Sequence, residues 1–310
     1  MTRAVLLMAY GTPERAEDVE PYFTHIRGGR TPSAEAVKHL QHRYEIVGGR
    51  TPLLDITKQV AAGLESELNR TDADSHRVYI GMKHWHPFIG EVVPRMIAEG
   101  TTDLTAMALA PHYSRMSIGA YQRAVEEAIA GVGKPVGLRF VHSWHLHPEF
   151  VDFMAKRVLR ALAEWPEAER SQVVTVFSAH SLPEKIRTWG DPYEQQLREG
   201  SDAVARRAGI ATWRVGWQSA GETGEPWIGP DICDLLATLH GEGVRNVLSV
   251  PIGFVSDHLE IAYDLDHEAR DKAESLGMTL RRTPMPNADP AFVRVLASVV
   301  RAHSGVAVEA

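Results

Sequence analysis

The 310-residue chain is poor in features that define several large protein classes, beginning with cysteine. Cys233 is its single cysteine, which excludes an intrachain disulfide, a zinc site built mainly of thiolates, and a four-cysteine iron–sulfur cluster held by one chain. The apolar residues around Cys233 predict a small core side chain rather than a reactive thiol.

Long apolar runs and basic clusters are also missing. The apolar run at residues 4–9 is too short to cross a bilayer and leads into the turn signal Gly11-Thr12-Pro13. The formal net charge is -7 and no stripe of lysine and arginine occurs, which argues against nucleic acid or an anionic membrane surface as the main partner. We therefore expect a soluble, cytoplasmic protein without stable membrane insertion.

Nucleotide-binding and acyl-transfer signatures are absent as well. Gly28-Gly29 and Gly48-Gly49 do not fit the strand–GxGxxG–helix pattern, and the sequence contains no P-loop and no nucleophile elbow. These absences weaken any interpretation as an NAD enzyme, an ATPase or an acyl transferase.

Strand-like apolar runs alternate with stretches of helical period, which is typical of an α/β protein with a parallel sheet. The predicted strands are Val5–Tyr10, Val78–Met82, Leu104–Leu109, Gly137–Val141, Val173–Ser178, Trp213–Trp217 and Val247–Ile252. Further helices are predicted from Pro148 to about Glu164 and from Pro290 to His303.

The order of elements is duplicated. Residues 7–14 parallel residues 177–184, and residues 79–83 parallel residues 214–218. We predict two similar Rossmann-like domains, each a parallel sheet flanked by helices. The first comprises residues 1–146 with a returning helix at 288–310, and the second comprises residues 147–287. In this alignment Tyr10 and His180 occupy equivalent strand ends.

Two segments run from a buried strand into a turn and a helix start, and each carries a side chain suited to proton transfer. Residues 173–184 deliver His180, and residues 247–260 deliver Glu260. Ligands of open α/β sheets bind at the carboxyl ends of parallel strands, which favours an acid–base pair at this edge. The alternative for both segments is a capping box, in which the carboxylates of Glu184 and Glu260 only accept hydrogen bonds from backbone N–H groups at a helix start.

Glu260, Asp264 and Glu268 recur every four residues and therefore share one face of a predicted helix, where like charges repel. One interpretation is a row of oxygen ligands that leads a divalent cation or protons to Glu260. The other is a solvated face with Asp266–Arg270 and Glu268–Lys272 ion pairs.

Weaker candidates lie earlier in the chain. His84 and His86 alternate at a strand end, a spacing that suits metal binding, although a chance pair is not surprising among 15 histidines. Arg27, Arg30 and Arg43 flank the glycine pairs, where guanidinium groups suit substrate carboxylates, although most loop arginines are only solvated.

Several motifs resemble the signature segments of the ferrochelatases, over nearly the whole chain. They are Ser178–Pro183, Gly216–Ser219 and Val250–Glu260, with Tyr10–Pro13 and Gly81–His84. The chain is most similar to the cluster-free coproporphyrin enzymes of Gram-positive bacteria. Glu14 and Trp85-His86 depart from the pattern that relatives often carry.

The resemblance implies insertion of Fe²⁺ into coproporphyrin III, with release of two protons, to give coproheme in haem biosynthesis. It implies an active cleft between two Rossmann-like halves, Fe²⁺ as a substrate, no organic cofactor and no iron–sulfur cluster. It also implies a monomer that makes transient contacts with the enzymes before and after it in the pathway.

The resemblance assigns roles to individual residues. His180 and Glu260 would handle the metal and the pyrrole protons on one porphyrin face, and Tyr10 would be an axial ligand of the product iron on the other. The implied substrate-binding residues are Tyr10, Ile26, Arg27, Arg43, Tyr44, Thr51, Tyr121 and Trp227. Asp264, Glu268 and His84 would form an outer metal site and proton path.

Other functions remain open from the sequence. The alternatives are a protoporphyrin IX ferrochelatase, a cobalt or nickel chelatase, and a haem- or iron-binding protein without turnover. A metal-dependent hydrolase that uses His84 and His86 is a weaker alternative, because no HExxH motif is present.

Overall fold

The computed structural model describes residues 2–72, 75–221 and 223–304. They form two compact units. The first contains the chain up to Trp144, the segment Ser256–Leu259 and the chain from Pro286 onward, and the second contains His145–Val255 and Glu260–Met285.

The sequence-based boundaries lie within two residues of this division except at Ser256–Leu259, which they assign to the second domain. Hydrogen bonds explain the difference. The N–H of Asp257 donates to Oδ1 of Asn287 at 2.8 Å, and Nδ2 of Asn287 donates to Oδ2 of Asp257 at 2.6 Å. These bonds tie the short segment to the first unit.

A parallel four-stranded sheet forms the centre of the first unit, in the order β2-β1-β3-β4. Its strands are β1 (Thr2–Ala9), β2 (Ser75–Met82), β3 (Asp103–Ala108) and β4 (Gly137–Val141). The helices that precede or connect them are α1 (Val19–Ile26), α2 (Ala34–Ile46), α3 (Leu53–Thr71), α4 (Ile89–Ala98) and α5 (Ile118–Val132), with a 3-10 helix at Ala16–Asp18.

The second unit repeats this plan, with the parallel order β6-β5-β7-β8. Its strands are β5 (Val173–His180), β6 (Trp213–Gln218), β7 (Asn246–Val250) and β8 (Thr279–Arg282). Its helices are α6 (Pro148–Leu162), α7 (Glu167–Arg170), α8 (Tyr193–Ala208), α9 (Ile232–Gly241), a π-helix at Ile261–Ala269 and α10 (Arg270–Ser275), with a 3-10 helix at Glu184–Trp189. The last helix, α11 (Pro290–Ser304), belongs to the first unit.

The central strands are apolar because helices cover both of their faces. In β1 the consecutive residues Leu6, Leu7 and Met8 are all fully buried. On one face of this sheet Leu6 and Met8 share an apolar cluster with residues of α4 and α5. In the second unit Val174 and Val176 of β5 pack with residues of α9 and the π-helix.

The two matching sheet orders confirm the predicted α/β fold with two Rossmann-like halves. All seven predicted strands occur, with shifts of a few residues at their ends. The prediction missed β8, because Thr-Leu-Arg-Arg is a partly exposed edge strand without an apolar run. No helix among the described residues combines the length and the apolar character needed to span a membrane.

Candidate active site

The site in the second unit begins at the carboxyl end of β5. The seven residues Val173–Ala179 are buried, and His180, the last residue of the strand, is partly exposed. The hydroxyl of Tyr193 on α8 donates to the backbone oxygen of His180 at 3.0 Å. The packed strand and this bond fix the point from which the imidazole leaves the sheet edge.

The two ring nitrogens of His180 have different partners. Nδ1 is hydrogen-bonded to the backbone oxygen of Ser181, and because a carbonyl oxygen only accepts, Nδ1 carries a hydrogen. Nε2 lies 3.4 Å from Oε1 of Glu260. Nε2 is therefore the atom at which His180 exchanges a proton with an acidic partner or a ligand.

Opposing effects set the pKa of His180. Burial alone lowers this pKa, but the charge of Glu260, its hydrogen bond, the Ser181 carbonyl and the charge of Asp264 together raise it to about 9. The imidazole of His180 is therefore protonated at neutral pH. This differs from the neutral imidazole expected of a resting general base.

A close approach between two chain segments brings Glu260 to the imidazole. After β7 the chain runs against β5, where Gly253 N–H donates to the backbone oxygen of Ser178 at 3.1 Å. A Cβ on Gly253 would lie 2.4 Å from Cβ of Ala179. Only glycine allows this approach one residue before His180 in the strand.

A chain of side-chain hydrogen bonds links the two strands to Glu260. Ser178 Oγ donates to Oε1 of Gln218 at 2.9 Å, and Nε2 of Gln218 donates to the backbone oxygen of Glu260 at 3.4 Å. Ser178 and Gln218 are fully buried. The end of β6 therefore helps to position the start of the π-helix.

Both capping-box interpretations are wrong. Ser181 Oγ donates to the backbone oxygen of Ile228 at 2.7 Å, and the 3-10 helix that follows has Pro183 at its N-cap. In the second segment Asp257 N–H is paired with Asn287. The carboxyl group of Glu260 instead lies beside Nε2 of His180.

The row of carboxylates lies on a π-helix, in which each N–H bonds five residues back, rather than on the predicted α-helix. Glu260 is partly buried, Asp264 is buried and Glu268 is exposed, so the row runs from the site toward solvent. Ser219 Oγ donates to Oδ2 of Asp264. Within residues 2–72, 75–221 and 223–304, no three or more His, Cys, Asp and Glu side chains are grouped to hold a metal ion.

The ion pairs proposed for a purely solvated face do not form. Asp266 pairs with Arg282 through two contacts of 2.7 Å instead of with Arg270. Arg270 instead approaches Asp271 and Glu274, at 3.9 and 3.8 Å.

Trp227 forms a wall beside the imidazole. The centroids of its ring and of the His180 ring are 6.3 Å apart. Nε1 of Trp227 donates to Oγ1 of Thr223 at 2.9 Å, and a Cβ on Gly221 would lie 2.6 Å from the indole. The indole is held in place from both sides.

In the first unit Tyr10 follows β1 at the position equivalent to His180. It is 40% exposed, and its ring centroid is 4.5 Å from that of His84. The ammonium of Lys83 lies 5.9 Å from the Tyr10 centroid and 5.2 Å from that of Tyr121. Burial, and then the charge of Arg123, lowers the pKa of Lys83 to about 8.

His84 and His86 have separate surroundings. Nδ1 of His84 lies 3.1 Å from Nδ1 of His25, and burial, then the charge of Lys83, lowers the pKa of His84 to about 3. His86 instead pairs with Glu91 at 3.1 Å. Of the residues expected in the outer metal site, His84 belongs to the first unit, and Asp264 and Glu268 belong to the second.

Two of the implied propionate-binding residues meet at a buried hydroxyl. Oγ1 of Thr12 lies 3.1 Å from the hydroxyl of Tyr44 and 2.9 Å from that of Thr51, and all three residues are buried. No pattern in the sequence indicated a role for Thr12 beside these residues.

The other implied substrate residues lie on or beside helices of the first unit. Ile26 ends α1, and the exposed guanidinium of Arg27 lies 5.7 Å from the centroid of Phe23. Arg43 is in α2 and partly buried, and Tyr121 is in α5 and buried.

Three positioning residues were not identified from the sequence: Tyr193, Gln218 and Ser219. Gln218 and Ser219 lie in the motif Gly216–Ser219. The position of this motif at the end of a strand next to β5 was the feature that could have identified them as site residues. Tyr193 lies in a helix whose docking against β5 no local pattern reveals.

Solved structures define the fold to which this chain belongs. Over 98% of this chain and 96% of the other, the fold matches SirB of Bacillus subtilis with Fe³⁺ at a TM-score of 0.60 and 11% sequence identity. A second SirB structure, from Bacillus subtilis subspecies spizizenii with cobalt, matches at 0.58 and 10%. The fold is therefore that of the chelatases.

Sequence comparisons identify the family within this class. The ferrochelatase family model matches residues 2–304, and the chain belongs to the ferrochelatase family. It is 48% identical to "Ferrochelatase" of Herpetosiphon aurantiacus, over 96% of this chain and 97% of that protein. It is 46% identical to "Coproporphyrin III ferrochelatase" of Anoxybacillus flavithermus and 44% identical to the protein so named in Bacillus subtilis, each over 96% of this chain and at least 95% of the relative. The predicted family is confirmed, and with it the activity of a metal chelatase that acts on a porphyrin.

Proposed function

We propose that this chain inserts Fe²⁺ into coproporphyrin III, releases two protons and gives coproheme. The observation that carries the proposal is the pairing of His180 Nε2 with Glu260 Oε1 at 3.4 Å, at the carboxyl end of a central strand. The choice of coproporphyrin III is supported by the names of relatives that are 43–46% identical over nearly their whole length.

Metallation replaces two pyrrole protons by one metal ion, so the protein must accept protons close to the ring. His180 is protonated at neutral pH in the ligand-free protein, because its pKa is raised to about 9. We infer that it first releases this proton through Glu260 and then accepts one from a pyrrole N–H, with Glu260 stabilising the imidazolium that forms again. A second round of release and acceptance removes the other pyrrole proton.

Asp264 and Glu268 offer the route by which protons leave the pair. Asp264 is buried one step along the π-helix and Glu268 is exposed one step further. We propose that protons move from Glu260 along this row to solvent. We assign His84 to the proposed outer metal site only because of the family resemblance.

We propose that arginines recognise the ring through its propionates. Arg27 is exposed and suits a bidentate contact with a carboxylate, and Arg43, Tyr44, Thr51 and Tyr121 are assigned with it from the family resemblance. Ile26 and Trp227 would contact the apolar faces and edges of the ring. Coproporphyrin III carries more propionates than protoporphyrin IX, so arginine contacts favour the former.

The substrate is tested by anaerobic Fe²⁺ insertion with coproporphyrin III and protoporphyrin IX in parallel, followed by absorption spectroscopy. We expect faster turnover with coproporphyrin III. Faster turnover with protoporphyrin IX would reassign the substrate, and faster Co²⁺ or Ni²⁺ insertion would reassign the metal. Binding of either porphyrin without any turnover would leave only a haem- or iron-binding role.

We propose Tyr10 as the axial ligand of the product iron, on the basis of the resemblance and of its exposed phenol. Tyr10→Phe removes the oxygen and keeps the ring that packs on His84. We expect the absorption spectrum of bound coproheme to change, while the rate of iron insertion changes less. An unaltered spectrum of the bound product would contradict axial contact by Tyr10.

A further inference from the structure

A short antiparallel pairing attaches the segment that carries Trp227. Residues 226–228 run alongside residues 182–184, and Trp227 forms an isolated antiparallel bridge at the middle of the pairing. The N–H of Glu184 and the N–H of Ile228 each donate across it to a backbone oxygen at 2.9 Å. The backbone beside the indole is therefore tied to the stretch of chain that directly follows β5.

An ion pair closes one end of this pairing. In the register of the bridge Lys185 is opposite Glu225, and Nζ of Lys185 lies 2.8 Å from Oε2 and 3.2 Å from Oε1 of that carboxylate. The adjacent carboxylate, Glu184, pairs with Arg187 at 2.7 Å instead. Glu225 is preceded by Gly224, whose φ of 73° turns the chain. The ion pair thus lies at the end from which the two segments would begin to separate.

The other contacts of the indole do not attach it to the strand that carries His180. The ring centroids of Trp227 and His180 are 6.3 Å apart, so this contact follows from the position of the indole and does not fix it. Thr223, which accepts from Nε1 of Trp227, and Gly221, which the ring covers, belong to the same loop as the indole. The place of the ring beside His180 therefore depends on the backbone pairing.

We propose that Lys185 and Glu225 are positioning residues, which hold the indole of Trp227 beside His180 while the porphyrin binds. They act through the backbone pairing rather than by contact with the substrate. Opposite charges across two paired segments stabilise the pairing, and like charges at the same place destabilise it. The effect on substrate affinity rests on the proposed function, in which Trp227 contacts the ring, whereas the effect on the backbone does not.

Reversal of the charges tests the proposal. Glu225→Lys places a second ammonium opposite Lys185, and the double variant Lys185→Glu with Glu225→Lys restores an opposite pair of reversed polarity. Hydrogen exchange of the Glu184 and Ile228 amides in the full, ligand-free chain measures the pairing. We expect Glu225→Lys to accelerate the exchange of both amides by about three- to tenfold, and the double variant to recover most of the protection.

Steady-state insertion of Fe²⁺ into coproporphyrin III in the same proteins measures the effect on the substrate. The KM for the porphyrin should rise by about two- to fivefold in Glu225→Lys, because a loosely held indole lowers the fraction of the protein that is ready to bind. We expect kcat to change less than KM, and the double variant to recover KM. Glu167→Lys is the matched control, since it makes the same change of net charge at an exposed position of α7 in the same unit.

The proposal is overturned if Glu225→Lys exchanges both amides at the rate of the unaltered chain, or if the double variant recovers neither the protection nor KM. Faster exchange with an unchanged KM would also overturn it, since the ion pair would then have a structural role alone. The same holds if Glu167→Lys raises KM as much as Glu225→Lys does. An unaltered chain that inserts no iron would contradict the proposed function, and the exchange rates would then decide the role of the ion pair by themselves.

Discussion

At His180, burial and charge act in opposite directions. Removal from water is the largest single effect and disfavours the imidazolium, but the carboxylates of Glu260 and Asp264 together with the Ser181 carbonyl outweigh it. The protonation state of His180 is therefore a property of the pair rather than of the imidazole alone. Any change at Glu260 should be visible in the titration of His180.

Glu260→Gln should lower the pKa of His180 by roughly 1–3 units, because it removes a negative charge 3.4 Å from Nε2 and keeps the shape of the side chain. The measurement is an NMR titration of the His180 ring in both proteins. We expect a midpoint near 9 in the unaltered chain. Identical midpoints in the two proteins would show that the two side chains are not coupled in solution.

His180→Ala should reduce the rate of iron insertion by roughly 10²–10⁴-fold, the usual contribution of a positioned general base. Porphyrin binding, followed by quenching of protein fluorescence, should change little. His39→Ala is the control, since it makes the same substitution at an exposed position of α2. If both variants turn over at the rate of the unaltered chain, His180 has no part in the reaction.

At the level of elements, the π-helix is held to the end of β6 by the side chain of Ser219 as well as by that of Gln218. Ser219 follows β6 directly and donates Oγ to the buried carboxylate of Asp264. Its φ is 63°, in the left-handed region that disfavours a residue with a Cβ. This backbone strain occurs at the residue that fixes Asp264, the middle member of the carboxylate row. Strain of this kind is typical of a functional site.

Two substitutions at Ser219 separate the hydrogen bond from the strain. Ser219→Ala and Ser219→Gly both remove the hydroxyl, and we expect Ser219→Ala to lower the free energy of unfolding by about 1–3 kcal/mol. Ser219→Gly should be less destabilised by about 1 kcal/mol, because glycine adopts positive φ freely. Urea denaturation monitored by tryptophan fluorescence measures both. Equal stability of all three proteins would mean that neither the bond nor the strain matters.

For the whole molecule, the raised pKa of His180 makes stability depend on pH. The pKa is about 6.5 in an unfolded chain and about 9 in the folded protein. Between these values the folded protein binds more protons than the unfolded chain, so this contribution is complete below the lower value and is lost as pH rises to the higher one. Lys83 acts in the opposite sense above about pH 8, because burial lowers its pKa.

The free energy of unfolding should therefore be measured against pH as a difference between the unaltered chain and His180→Gln, which leaves the contribution of Lys83 unchanged. We expect this difference to fall steadily from about pH 6.5 to about pH 9. A difference that stays constant over this range would mean that the folded pKa of His180 is not raised.

The sequence by itself determined the α/β class, the duplicated order of elements and the presence of His180 and Glu260 at segment ends. Central parallel strands buried on both faces must be apolar throughout, so β1 and β5 are readable as local runs of residues. The motifs around these strand ends were also sufficient for the family, which the match of the ferrochelatase family model to residues 2–304 confirms.

Only the tertiary structure decided which side chains meet. Ser219 reaches Asp264 and Gln218 reaches Glu260 across more than forty positions of sequence, and β8 becomes a strand only because β7 supplies its hydrogen-bond partners. The protonation of His180 likewise depends on a carboxylate that arrives from another segment. Contacts between distant segments and the electrostatics of burial are properties of the folded chain, so they cannot be recognised in any local pattern of residues.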